Sequence, residues 1–421
     1  MAGYVSVLNA TNLYSIHPSI SDIKFKVILM DIKLSKLVSP RTTYAFAEVD
    51  KQVAALKAQG VQVIDFGVGD PKDPTPDFVI HALNEASRIY AASGYPSYIG
   101  APFFRSAAAD YLRRMYGVEI DPETEVSSTI GSKESVFHFP RAFIDPGDVV
   151  ICPTPGYPPY KVGTIYAGGI PYFVPLTEKT DFLIDLEAIP ADICAKAKII
   201  WTNYPNSPTG KLAPRDWLEK LAEWAHQHNI IIAADEGCYH DIYFGAEKPL
   251  SMLEVTKEGV VVFYSLSKGF NMTGYRVGFV AGDARIIDAF RKVKTQMDSG
   301  TPTFIQHAAM VALQDTAFVA QNREMYRQKR ALMLEALQSA GLPACENEGT
   351  FYIWQKAPQG MTGEELAQRL LKLGIVVTPG QWISDPTAEG FNPGEHYVRI
   401  ALVPTLTEIE EACQRLKKST L

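Results

Sequence analysis

The chain has few of the features that mark secreted, metal-binding or membrane proteins. Its five cysteines (Cys152, Cys194, Cys238, Cys345 and Cys413) are odd in number and far apart, and no C-x-x-C pair occurs. A disulfide framework and a thiolate zinc site are therefore excluded, and the thiols read as small buried side chains. His226 and His228 stand two apart, on different faces of a helix, so they make a poor metal pair and no metal is expected. No uninterrupted apolar run approaches the roughly 20 residues that span a bilayer. Basic charge is not in excess. Lys plus Arg is 40 and Asp plus Glu is 47, a net charge of −7 that gives no electrostatic reason to expect nucleic acid or an anionic membrane. The first 29 residues lack a basic n-region followed by a long apolar stretch, so a secretory signal is not expected and a cytoplasmic protein is. Residues 1–29 show no clear period either, whereas Met30 opens a stretch that reads as a natural start. That segment is expected to be a poorly ordered extension or an over-extended start.

What is present is ordinary globular composition, 47% hydrophobic and 21% charged, over 421 residues. That length suggests two or three domains. From about residue 100 to 285, short apolar runs alternate with helical patterns. The runs are DVVICP (148–153), AKIIWTNYP (197–205), NIIIAADE (229–236), GVVVFYSLS (259–267) and RVGFVAG (276–282). They are rich in Val and Ile and apolar on both faces, as buried parallel strands are. Between two of them, Trp217, Leu218, Leu221, Trp224 and Ala225 recur at helical spacing, with Pro214 suited to a helix's first turn. This is a βαβ pattern, predicting a mostly parallel central sheet flanked by helices.

Beyond about residue 300 the pattern changes to a smaller α+β domain. A long helix is predicted from near Ala317 to Ala340, stopped by Gly341. FYIWQK and YVRIALV read as strands. Thr362-x-x-Glu365 and Thr407-x-x-Glu410 read as capping boxes that each open a helix. The helical stretch 44–60 and the strand VQVIDFGVG (61–69) are expected to pack with this part. The expected division is 1–29 extension, 30–72 N-terminal segment, 73–300 large domain and 301–421 small domain.

Four motifs carry chemistry. Ser265-Leu266-Ser267-Lys268 follows an apolar strand, at the sheet edge where open α/β proteins bind ligands. A lysine there is well placed to be desolvated and to form an imine. Ser265 and Arg276, three before and eight after it, would suit a phosphate-bearing aldehyde. By spacing alone Lys268 reads equally as a solvated loop lysine. Asp235 ends another apolar strand, where a carboxylate can keep a pyridine nitrogen protonated, or can simply cap a helix. The polar turn 202–210 closes a third strand. Gly131-Ser132-Lys133 forms a strand-to-helix turn whose backbone N–H groups suit a phosphate. It is neither a Walker sequence nor G-x-G-x-x-G, so it is weak support for a nucleotide.

Together these segments resemble the class I/II aminotransferases, pyridoxal-phosphate enzymes of fold type I. The likeness runs from about Thr43 to near Leu416 through DFGVGDP, GYPSYIGAPFFR, TIGSKES, PGYPPY, NYPNSPTG, AADEGCY, SLSKGFNMTGYRVGF and YVRIAL, in the family's order. Within the family, stretches such as YPSYIG, IGSKE and PGYPPYKVGT most resemble bacterial LL-diaminopimelate aminotransferases. The resemblance implies that Lys268 carries the cofactor and that Asp235 partners its ring nitrogen. It implies a phosphate cup of Ser132, Lys133, Ser265 and Arg276, and an aromatic stack from Tyr157. Arg399 would bind the substrate α-carboxylate, with Gly69 beside it. Tyr95 would reach the phosphate of a neighbouring subunit, which implies a homodimer with shared active sites.

Two departures stand out. The family usually has Asn directly before Pro-Thr-Gly and Tyr three residues after the aspartate, both bonding the cofactor's phenolic oxygen. This chain has Ser207 and Cys238 at those positions, with Tyr239 one residue later. Either a bulge brings Tyr239 to that oxygen or Cys238 takes its place. The implied reaction is ping-pong transfer from an L-amino acid, first LL-diaminopimelate in a lysine-biosynthetic role, to 2-oxoglutarate. Aspartate or alanine as donor, or β-lyase chemistry on the same fold, are the alternatives. A regulator would need a DNA-binding module, for which residues 1–43 are too short and unpatterned.

Overall fold

The computed structural model describes residues 32–38, 46–419 and 421, so the segment 1–29 lies outside the described residues. The chain divides into two compact units, Met1–Thr43 and Tyr44–Leu421. The described part of the first is a short exposed stretch with a turn, in which Val38 N donates to Ser35 O at 2.9 Å.

In the second unit the strands, in chain order, are β1 (Ile64–Asp65), β2 (Val126–Thr129), β3 (Val149–Thr154), β4 (Ile170–Pro175), β5 (Ala197–Thr202) and β6 (Ile231–Gly237). They continue with β7 (Val260–Ser265), β8 (Gly278–Gly282), β9 (Tyr352–Lys356), β10 (Ile375–Val376), β11 (Thr378–Pro379) and β12 (Tyr397–Ala401). Seven of them form one sheet in the order β2-β8-β7-β6-β5-β3-β4. Strands β3 to β7 are mutually parallel, as the two-faced apolar runs at β3, β5, β6 and β7 predict, with β4 added at the edge. Alternate residues enter opposite cores. Val149, Ile151, Val260 and Val262 belong to one apolar cluster, and Val150, Cys152, Val261 and Phe263 to another. Helices therefore cover both faces, as an α/β architecture requires.

One strand corrects the sequence reading. β8 was expected to be parallel, but it runs antiparallel to both β7 and β2. The reason lies in its connection. Residues 266–277 hold only the short turns Leu266–Gly269 and Thr273–Tyr275, with no crossover helix to return the chain to the far edge. The consequence is functional, because the start of β8 lies at the same edge as the ends of β2, β5, β6 and β7.

The remaining strands build a small three-stranded antiparallel sheet, β11-β12-β9, and a two-residue parallel pair, β1 with β10. Ile64 and Phe66 share an apolar cluster with Phe351, Ile353, Leu366, Ile400 and Leu416. The strand read over 61–69 shortens to β1 because Asp65 Oδ1 accepts from Gly67 N at 2.7 Å and turns the chain. Helix Thr303–Gln314 places Ala308, Ala309, Ala312 and Leu313 in the large sheet's core, so the boundary drawn at 300 falls ahead of a helix of that core. Helix Thr316–Ser339 follows and links the cores, with Val319 in the large one and Tyr326, Met333 and Leu337 in the small one.

Helix ends follow side-chain chemistry. The Thr362 capping box forms as read. The last helix is Leu406–Lys417, opened by Thr405 and Glu408 rather than Thr407 and Glu410. Two T-x-x-E frames overlap there, and the first threonine in extended backbone takes the cap. Pro214 is the N-cap of Arg215–His228, one place before the helical turn assigned to it.

Candidate active site

The large sheet gathers its chemistry at one edge. Parallel strands β5, β6 and β7 end there, and antiparallel β8 begins there, so Asn203, Asp235, Ser265, Lys268 and Arg276 converge from four strands. They line a cavity of about 670 Å³ together with Gly69, Ser132, Lys133, Tyr157, Ser207, Cys238, Tyr239 and Arg399.

Lys268 sits in the single turn Leu266–Gly269 just past β7. Ser265 holds the turn, its Oγ accepting from Ser267 N at 3.2 Å and donating to Ser267 Oγ at 2.9 Å. Lys268 Nζ reaches across the cavity to donate to Gly69 O at 2.5 Å. From the helix Thr316–Ser339, the Asn322 amide donates to the carbonyls of Lys268 (3.2 Å) and Gly269 (2.9 Å), fixing the lysine's backbone.

Asp235, on β6, is 4% exposed. Tyr160 donates its hydroxyl to Asp235 Oδ2 at 2.7 Å, and Oδ1 has no partner among the described residues. Burial pushes this carboxyl up to about 6, against the opposing hydrogen bond of Tyr160 and the nearby Cys238 thiol. The thiol lies between Asp235 and Ser132, contacting Ser132 Oγ at 3.3 Å. Burial pushes Cys238 up to about 12, so it stands as a neutral thiol. The Tyr239 hydroxyl is directed to Tyr352 Oη at 3.5 Å. The β6–β7 register does shift between Ala234 and Gly237, yet Cys238, not Tyr239, is the side chain beside Ser132 and Asp235.

Two guanidinium groups serve the cavity. Arg276 Nη1 donates to Thr273 O at 2.8 Å, and Arg399 Nη2 donates to Gly67 O at 2.8 Å. Neither has a carboxylate partner among the described residues, and Arg399 Nε is buried without any partner there. Arg276 lies against the Gly131-Ser132 turn. Arg399, on β12, lies over the Tyr352 ring at 4.7 Å. A Cβ at Gly69 would overlap the Tyr352 hydroxyl, so a larger residue there would push the Tyr352 side chain aside.

A group with a ring nitrogen, an anionic phosphate and an aldehyde fits this set. Asp235 Oδ1 could hold the ring nitrogen's proton, Arg276 with Ser265 and the 132–133 turn could take the phosphate, and Lys268 could reach the aldehyde. Arg399 is left for a substrate carboxylate.

Of the residues singled out from sequence, Tyr95 alone is absent from the cavity lining and stands 90% exposed. Sequence reasoning missed Tyr160, Asn203 and Tyr352. Asn203 donates its amide to the Asp235 carbonyl, and its Oδ1 accepts from Ser207 N at 2.8 Å, tying two strand ends together. The signals were present, since Tyr160 lies in PGYPPY and Asn203 in NYPNSPTG, but only the neighbouring residues had been given roles.

A sheet whose edge carries this lysine, aspartate and two arginines marks a pyridoxal-phosphate-dependent enzyme of fold type I. The family model "Aminotransferase class I and II" matches residues 61–416. The LL-diaminopimelate aminotransferase of Aquifex aeolicus is 45% identical over 383 residues, 90% of this chain and 97% of that one. Among solved structures, substrate-bound BacF from Bacillus subtilis superposes with a TM-score of 0.83 at 32% identity, covering 92% of this chain and 98% of that one. A Thermus thermophilus aspartate aminotransferase single mutant gives 0.82 at 30%, covering 92% and 99%. The chain belongs to the class I and II aminotransferases.

Proposed function

We propose that the chain transfers an amino group from LL-diaminopimelate to 2-oxoglutarate, in lysine biosynthesis, in the cytoplasm. The observation that carries amino transfer is the convergence of Lys268, Asp235, Arg276 and Arg399 on one cavity, with Asp235 Oδ1 and Arg399 Nε unpartnered among the described residues. The donor follows from the names of the relatives, which share over two fifths of their residues with this chain across some nine tenths of its length.

Pyridoxal phosphate, when bound, supplies an electron-withdrawing ring that accommodates negative charge developing at the substrate's Cα. The residues divide the remaining work. Arg399 forks onto the α-carboxylate and fixes the direction of the Cα–H bond. Lys268 Nζ would take the Cα proton as base and return it, as acid, to the carbon that was the cofactor's aldehyde carbon. Asp235 keeps the ring nitrogen's proton in place. Ser132, Lys133, Ser265 and Arg276 would hold the phosphate, and Tyr157 would pack against the ring. Ser207, Cys238 and Tyr239 line the same cavity and would supply its remaining polar groups. The keto acid product leaves before 2-oxoglutarate enters, which makes the kinetics ping-pong.

We assign the working unit as a homodimer. A side chain as exposed as Tyr95 is available to a second copy, where it would complete the phosphate site of the neighbour.

The test is a donor profile with 2-oxoglutarate as acceptor. LL-diaminopimelate should give glutamate with a kcat/KM at least about tenfold above L-aspartate and L-alanine. A preference for either of those assigns the alternative donor. Pyruvate and ammonia formed without a keto acid would assign β-lyase chemistry instead.

A further inference from the structure

The two oxygens of Asp235 have different surroundings. Oδ2 accepts the Tyr160 hydroxyl at 2.7 Å, and Oδ1 is buried without a partner among the described residues. Tyr160 is held rigidly. It projects from helix Pro158–Tyr166, is 1% exposed, and its ring stacks on Trp201 at 4.6 Å with 15° between the planes. Its carbonyl accepts Thr164 Oγ1 at 2.7 Å. Beneath the carboxylate, the Asn203 amide holds the Asp235 backbone carbonyl.

We infer that Tyr160 is a positioning residue for Asp235: its hydroxyl occupies one carboxylate oxygen and so presents the other, charged, to the cofactor's ring nitrogen. The inference rests on the reading of Asp235 as that nitrogen's partner.

The physical argument is a competition. Burial favours the neutral carboxyl and raises it to about 6, and the Tyr160 hydrogen bond is the largest opposing influence. The other titratable groups near Asp235 are Tyr157, Cys238 and Glu236. Burial keeps the first two neutral; the Cys238 thiol also opposes burial at Asp235, but less than the Tyr160 hydroxyl does, so it does not replace it. Glu236 points elsewhere, accepting from Ser251 Oγ and from Met252 N at 3.0 Å. Without the Tyr160 donor the carboxyl would bind its proton at higher pH, and a neutral acid cannot hold the ring's proton.

The experiment compares wild type with Tyr160→Phe, which keeps the ring on Trp201. Pyridoxal phosphate is titrated into cofactor-free protein from pH 5.5 to 8.5, and the labelled ring nitrogen is followed by NMR. The variant should bind the cofactor at least about tenfold more weakly at neutral pH. The acid-side midpoint of binding should rise by about one pH unit, with partial loss of the ring proton. Replacing Tyr160 by 3-fluorotyrosine, a stronger donor of nearly the same shape, should move the midpoint the other way, and this arm stands even where Tyr160→Phe fails to fold. An unchanged midpoint with a fully protonated ring in either variant overturns the inference. Wild-type protein that takes up no cofactor overturns the reading of Asp235 itself.

Discussion

Arg276 closes on the Gly131 turn so tightly that a Cβ at position 131 would stand 2.5 Å from Arg276 Nη2 and 3.0 Å from its Cζ. Gly131 also has φ +71° with ψ 162°, a region essentially reserved for glycine that costs other residues about 1–3 kcal/mol. Gly131→Ala should therefore displace the guanidinium and strain the turn. We expect about 1–3 kcal/mol lower stability in denaturant melts, and cofactor affinity reduced by about tenfold or more. Wild-type affinity in that variant would remove Arg276 from the phosphate site.

Arg399 has one backbone acceptor and a buried, unpartnered Nε. Arg399→Gln should leave the visible spectrum of the loaded enzyme intact. It should lower kcat/KM for both amino acid and keto acid by roughly 10²-fold, the cost of about 3 kcal/mol for removing one member of a buried charged pair. An effect on only one of the two substrates would contradict a shared carboxylate site.

Cys238 and Ser207 stand where the family pattern would place Tyr and Asn. The Cys238 thiol faces Ser132, and the Tyr239 hydroxyl is taken up toward Tyr352. The cofactor's phenolic oxygen is thus expected to receive weaker donors, which favours the protonated form of its link to Lys268. The pH at which the visible spectrum changes should lie above the family norm. Cys238→Tyr with Ser207→Asn should lower that midpoint by about one unit or more. A family-like midpoint in the wild type would refute this.

Asp235 makes a testable link between pH and stability. Unfolded, it ionises near 3.8, and burial raises it to about 6 in the fold. Its contribution to stability is full below 3.8 and shrinks as pH rises through 6, by about 3 kcal/mol in total. Cofactor-free Asp235→Asn should then melt above wild type at pH 7 to 8, with the gap closing toward pH 4. Cofactor binding to wild type should reverse the order, because the ring's proton compensates the buried charge. A pH-independent gap would show that Asp235 is not the titrating group.

How much was legible in the sequence depended on what each contact required. Lys268 and Asp235 each lie at or just past the end of an apolar strand run, so their place at the sheet edge followed from local pattern, whereas their roles, and that of Arg399, came only from the family resemblance. Tyr160 did not, because its importance lies in a contact 75 residues away across two strands. The direction of β8 was illegible because an apolar run such as RVGFVAG reads alike whichever way its strand runs. Only the length and content of 266–277 distinguish the two, and those residues were read as a motif rather than as a connection. The last helix was opened by Thr405 instead of Thr407 because two identical cap frames overlap, and sequence spacing does not rank them.

The central claim is that Lys268 Nζ bonds the cofactor. Reducing the loaded enzyme with borohydride and locating the added mass by peptide mass spectrometry tests it directly. The account predicts a phosphopyridoxyl group on Lys268, and none in Lys268→Ala, which should also lose all but a trace of amino transfer. Label on another lysine, or wild-type turnover in Lys268→Ala, would contradict it.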